Sequence, residues 1–182
     1  ASVIEELQFA EQLTKNNKTL TLTSTAGASA LANVTVTGSA GLKATFAATT
    51  MKSIDTTGTT GASTITFDAT KATYTGGAGV DNVTTSAVAP TKAISLGDGN
   101  DKLTLALGTT SVTGAISGGA GTDTLSMVVA DAATADNDLA FSALVTGFEV
   151  LELTGATGAQ AVNLANLGIT STVTIGTHSG PG

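Results

Sequence analysis

Three stretches of this 182-residue chain place glycines and an aspartate at fixed intervals. Gly76-Gly77-Ala78-Gly79-Val80-Asp81-Asn82-Val83-Thr84 and Gly118-Gly119-Ala120-Gly121-Thr122-Asp123-Thr124-Leu125-Ser126 share one nine-residue pattern, G-G-x-G-x-D-x-U-x, in which U is a large apolar residue. Between them, Leu96-Gly97-Asp98-Gly99-Asn100-Asp101-Lys102-Leu103-Thr104 fits everywhere except its first position, where Leu96 stands in place of glycine. The chemistry these residues suit is capture of a hard cation. Glycines let the backbone turn tightly enough for carbonyl oxygens to face one point. The sixth-position carboxylate adds charge from the same side, and calcium accepts about six to eight oxygens in loose geometry. One Gly-rich turn with a solvated aspartate would be ordinary. Three at near-equal spacing, each followed by an apolar residue two positions on, call for a shared purpose.

Such turns have to be held between short strands. Val83, Leu103 and Leu125 each open a run, and alternation with period two recurs along the chain: Leu20-Thr21-Leu22-Thr23, Val34-Thr35-Val36-Thr37, Ile65-Thr66-Phe67, Leu103-Thr104-Leu105, Val173-Thr174-Ile175. Such runs, separated by Gly, Asp, Asn and Ser, read as many short strands with threonine as the outward partner. Asp81 to Asp101 spans 20 residues and Asp101 to Asp123 spans 22. Those spacings suit one full coil of two strands and two turns, with slightly longer loops opposite, around Ala89-Pro90-Thr91 and Gly108-Thr109-Thr110. The expected fold is therefore all-β, a parallel β-solenoid (β-roll or β-helix) with its Gly/Asp turns stacked on one edge. Two principal calcium ions are expected, one between each pair of successive turns, with room for a third, less completely coordinated, at an end of the stack. At most one or two short helices are expected. Asp138 is placed to N-cap a helix over Leu139-Ala140-Phe141-Ser142-Ala143-Leu144, closed by Gly147, while Val3 to Phe9 fits helix or strand equally.

The chain divides into three regions: Thr/Ala-rich strand coils without a calcium motif over 1–70, the calcium-binding coils over 71–130, and a short helix with closing strands over 131–182. Ile4-Glu5-Glu6-Leu7-Gln8-Phe9 is similar to Phe148-Glu149-Val150-Leu151-Glu152-Leu153, 144 residues later. This makes the C-terminal region a candidate start of a further repeat.

Composition narrows the function classes. About one residue in five is Thr, 22 are Gly, and there is no Trp, one Tyr and five Phe. That suits a narrow stack of strands better than an aromatic-anchored globular core. The net charge is −7, and the seven basic residues are scattered singly, so neither nucleic acid nor an anionic membrane is an expected partner. Cysteine is absent, which removes disulfides, thiol catalysis and structural zinc. His178 is the only histidine and lies in a Gly-rich end, no place for a catalytic base. No serine sits in a G-x-S-x-G elbow and no G-K-[ST] follows the glycine turns, so neither hydrolase nor phosphate-loop chemistry is expected. Glu149 and Glu152, and likewise Glu5 and Glu6, read as strand-edge acids that discourage mispairing. Asp136 and Asp138 read as turn and cap, and Asp55 and Asp68 as turn residues outside the glycine frame. The chain is not expected to be an enzyme.

The segment from Tyr74 to Leu153 resembles the RTX-type S-layer proteins of Gram-negative bacteria. The nonapeptides are those of RTX calcium turns, and they lead into Gly147-Phe148-Glu149-Val150-Leu151-Glu152-Leu153-Thr154-Gly155, similar to the G-F-E-x-L-x-L-x-G strand of that family. The resemblance implies a secreted protein, exported unfolded by a type I system and folded by calcium at the bacterial surface or in the extracellular matrix. It implies Asp81, Asp101 and Asp123 as side-chain ligands, with backbone oxygens from Gly77, Gly79, Gly97, Gly99, Gly119 and Gly121. Asp98 is an additional candidate ligand, offsetting Leu96. It also implies self-association into a homo-oligomeric lattice or fibre, without insertion into a membrane, and leaves any surface-polysaccharide contact to other parts of a longer chain. The alternatives are a calcium-stiffened repeat of a large RTX adhesin and the folding and secretion module of an RTX enzyme; the likeness of the two ends favours the lattice and adhesin readings.

Overall fold

The computed structural model describes residues 6–9, 20–24, 31–47, 49–155 and 160–175. The first strands are β1 (Glu6–Phe9), β2 (Leu20–Ser24), β3 (Asn33–Gly38), β4 (Leu42–Phe46) and β5 (Ser53–Thr59). Next come β6 (Ser63–Phe67), β7 (Thr73–Thr75), β8 (Asp81–Thr85), β9 (Ile94–Ser95) and β10 (Lys102–Thr104). The last are β11 (Ile116–Ser117), β12 (Thr124–Val128), β13 (Val145–Thr146), β14 (Phe148–Thr154) and β15 (Ile169–Ile175). The odd-numbered strands β1 to β13 line up in sequence order as one sheet. The even-numbered strands form the other, which ends β12, β14, β15. Neighbours within each sheet are parallel. The chain is mostly β, as the alternating runs predict.

Alternation explains the packing. In the second sheet Ala44, Ile65, Val83, Leu103, Leu125 and Leu151 stand in register, one above the next, and all are buried. Facing them, Val34, Ile54, Tyr74, Ile94, Ile116 and Val145 form the matching column of the first sheet. The next position points outward, and there Thr45, Thr66, Thr84 and Thr104 make a threonine row. Period-two side-chain direction converts the written alternation into these columns.

The two edges between the sheets differ. On one lie the three Gly/Asp turns. On the other lie residues 86–93 and 105–115, the longer loops that the spacing calls for, and two short helices. The helix α2 (Leu139–Leu144) begins where the capping signal places it, with the Asp138 side chain accepting from the Ala140 N–H at 3.0 Å. A second helix, α1 (Val129–Ala135), continues directly from β12 and buries Val129, Ala132 and Ala135. Asp136 follows it and accepts the Asn163 N–H at 2.7 Å, tying the 3-10 turn Leu164–Leu167 to the body. Val3 to Phe9, open between helix and strand, is strand over Glu6–Phe9. The two similar end segments fall in different sheets, β1 in the first and β14 in the second. Among the described residues no helix is long and apolar enough to cross a membrane. His178 lies outside the described residues.

Candidate metal centre

Each nonapeptide carries the chain from the first sheet into the second: β7 to β8, β9 to β10, β11 to β12. Because Asn82, Lys102 and Thr124 pair in register, the residues just before them, Asp81, Asp101 and Asp123, stack in one column. The turns also bond to one another. The Asp98 N–H donates to the Gly77 carbonyl at 2.8 Å, the Ala120 N–H to the Gly97 carbonyl at 2.9 Å, and the Gly99 N–H to the Ala120 carbonyl at 2.8 Å. The second and third turns share one backbone shape: φ is 99° at Gly97 and 111° at Gly119, then 141° at Gly99 and 143° at Gly121. The first turn differs, because neither Gly77 nor Gly79 has positive φ. Gly77 and Gly79 lie against the carbonyls of Thr56, Thr59 and Gly61, in a preceding round that lacks the nonapeptide.

The carboxylates form a ladder along this column. Asp101 Oδ1 accepts the Asp81 N–H at 2.8 Å, Asp123 Oδ1 accepts the Asp101 N–H at 2.8 Å, and Asp81 Oδ1 accepts the Ser63 N–H at 3.2 Å. One oxygen of each aspartate is thereby satisfied. The second oxygens are not alike. Asp81 Oδ2 accepts the Tyr74 hydroxyl at 2.7 Å, and that hydroxyl also meets Thr56 Oγ1 at 3.1 Å. Asp101 Oδ2 and Asp123 Oδ2 are buried with no hydrogen-bond partner, in residues only 1% and 0% exposed.

An unpartnered buried carboxylate oxygen is costly, and its cost is felt in the acidities. Burial pushes Asp101 up to about 7, with the Asp81, Asp123 and Asp98 charges adding to the rise. Burial likewise raises Asp81 and Asp123, and the Glu149 charge adds to the rise at Asp123. Each group takes up its proton more readily folded than unfolded, so its favourable contribution is present at acid pH and is lost as pH rises through the folded value. The metal-free protein is therefore expected to unfold more easily at mildly alkaline than at mildly acid pH. Urea titrations in chelator at both pH values check this, and a flat or opposite trend contradicts it.

A bound cation such as calcium would meet the same need by another route. Hydrogen-bonded strands lie about 4.8 Å apart, and calcium takes oxygens at about 2.4 Å. An oxygen from each of two successive turns can thus reach one ion. Among the described residues no three carboxylate or imidazole side chains converge on one point, so coordination would depend on the turn carbonyls as well, as the glycine frame anticipates. The donor set fits best between the second and third turns, where the backbone shapes match and both Oδ2 atoms are unspent. Asp98 is exposed at the turn, and its charge reaches Asp101. Leu96 is fully buried in the core, and its N–H bonds the Ser117 carbonyl at 3.0 Å. The leucine leaves the stack intact. Asp55 lies within β5, where it accepts the Thr57 N–H, and Asp68 pairs with Lys71 in the turn after β6. Neither joins the column.

Sequence reasoning missed two members of this site. One is Tyr74, whose hydroxyl occupies Asp81. The other is Glu149, which stands opposite Asp123 and accepts its N–H at 2.9 Å through Oε2. The strand-edge explanation for Glu149 does not hold, because β14 has β12 on one side and β15 on the other. No family model, no curated protein and no solved structure matches this chain.

Proposed function

We propose that this chain is a calcium-stabilised β-solenoid building block of an RTX-type extracellular surface layer or fibre, structural rather than catalytic. The observation that carries the proposal is the pair of buried, unpartnered oxygens, Asp101 Oδ2 and Asp123 Oδ2, between two turns of the same backbone shape. Asp101 and Asp123, with carbonyls of Gly97, Gly99, Gly119 and Gly121, would hold the ion, whose charge offsets the buried carboxylates. Asp81, with Gly77 and Gly79, completes the pair of sites that the spacing predicts; binding there has to displace or share the Tyr74 hydroxyl. The alternation of β1 to β14 between two parallel sheets supports the β-roll form of solenoid. Extracellular calcium modules have Kd values of about 10⁻⁴ to 10⁻³ M, suited to a protein that folds only after secretion.

The ends of the stack support the assembly reading. The strands β13 and β15 close the two sheets, and Val173, the last member of the buried column that contains Leu151, is 39% exposed. Among the described residues no strand pairs beyond β13 or β15, and such an edge can accept another strand layer, which a second copy would supply. Addition of millimolar calcium to chelator-treated protein is expected to raise light scattering and yield sheets or fibres by electron microscopy, reversibly with EGTA. Calcium-induced folding with flat scattering would favour the rigid repeat of an adhesin instead.

A further inference from the structure

The column of ladder carboxylates does not stop with the third nonapeptide. From the register of β12 on β14, Glu149 occupies the place that Asp81, Asp101 and Asp123 hold in the earlier rounds. It makes the same contact, a carboxylate oxygen on the N–H of the preceding column member, at 2.9 Å against 2.8 Å in the two pairs before it. Only Gly147 separates β13 from β14. Its φ of 70° turns the chain there, and a Cβ on Gly118 would lie 1.9 Å from the Gly147 carbonyl oxygen. A backbone oxygen of the Glu149 round is thus pressed against the third turn.

We infer that Asp123 and Glu149, with the Gly147 carbonyl close by, form a further calcium position one round beyond the last nonapeptide. The inference rests on the calcium reading above and extends it to a residue outside the repeat pattern. Asp123 Oδ2, already assigned to the ion between the second and third turns, would bridge to this position as well: Asp123 is 0% exposed and its Oδ2 has no hydrogen-bond partner, so the buried carboxylate beside Glu149 calls for positive charge. Among the described residues no lysine pairs with either carboxylate. The two ion pairs among the described residues are Lys71–Asp68 and Lys102–Glu152, and Lys102 Nζ spends itself on both oxygens of Glu152 at 2.8 Å. Two adjacent like charges, one of them buried, are stabilised by a shared divalent cation.

The test is a count of bound calcium on the chelator-stripped protein, by calorimetric titration and native mass spectrometry, with Glu149→Gln beside the unaltered chain. Glutamine keeps an oxygen for the Asp123 N–H and removes the charge, so the calcium-free fold should be retained by circular dichroism. The expected result is one ion fewer in E149Q, the remaining sites changing in affinity by less than about threefold, under 0.7 kcal/mol. Should E149Q not fold, Glu149→Asp is the second variant, and it should keep the full count with one site weakened. Equal counts and affinities in the unaltered chain and E149Q, or an E149D protein with no weakened site, overturn the Glu149 position while the calcium reading stands. No binding to the unaltered chain overturns both.

Discussion

Stripping calcium with EGTA above neutral pH is expected to lower the thermal midpoint of this protein by roughly 10 to 20 °C. An ion held at about 100 times its Kd contributes about 2.7 kcal/mol to folding, so the two proposed sites would together contribute about 5 kcal/mol. For a chain of this size each kcal/mol moves the midpoint by about 2 to 4 °C. The physical source is local. Without the ion, Asp101 Oδ2 and Asp123 Oδ2 are buried without partners, and above neutral pH even Asp101, pushed up to about 7 by burial, must carry its charge. Magnesium is expected to restore little, because it demands tighter octahedral geometry and gives up water reluctantly. Melts followed by circular dichroism in EGTA, calcium and magnesium check this. Coincident melts in EGTA and calcium would mean that the carboxylate column is neutralised some other way.

The second large effect is at Gly121. Its φ is 143°, and a Cβ there would lie 1.6 Å from the Gly99 carbonyl oxygen, with Asn100 Oδ1 at 3.1 Å. The obstacle is the backbone of the turn beneath, which cannot move without breaking the Gly99 N–H to Ala120 bond. Gly121→Ala is expected to cost more than about 4 kcal/mol, the range reached only when backbone strain and lost packing combine, and to abolish calcium binding between the second and third turns. Gly155→Ala is the control. That glycine also has positive φ, 64°, but the nearest atom to its added Cβ is Val128 Cγ1 at 3.5 Å. Its cost should be that of a left-handed alanine, about 1 to 2 kcal/mol. Urea denaturation of both variants separates close stacking from mere turn conformation. Similar losses in the two would contradict the stacked-turn account.

Much of the scaffold was legible because period two is a direct consequence of strand geometry. Leu103-Thr104 and Val34-Thr35-Val36 face in and out as written, and the Asp138 cap marked its helix because an oxygen one step ahead of the first turn has one obvious use. The turn positions were legible for a related reason: a glycine at φ 141° or 143° advertises a backbone shape that other residues avoid. What stayed hidden depends on register. Glu149 follows Asp123 by 26 residues, not 20 or 22, because the intervening round takes in α1 and α2. Counting residues therefore loses the column, whereas counting strands keeps it. The helix α1 was hidden because alanine carries no pattern, and its buried face emerges only against the core. Tyr74 reads as one more inward apolar residue, and only the fold brings its hydroxyl onto Asp81.

On the proposed reading, stacked turns hold calcium through the unspent oxygens of Asp101 and Asp123. Calorimetric titration of calcium into the chelator-stripped protein, with the double variant Asp101→Asn, Asp123→Asn run alongside, tests it most directly. Saturable binding is expected, with a Kd in the range of about 10⁻⁴ to 10⁻³ M or tighter, and loss of the site between the second and third turns in the double variant, which keeps the side-chain shape but not the charge. No saturable binding to the unaltered chain, or an isotherm unchanged by the two substitutions, would contradict it.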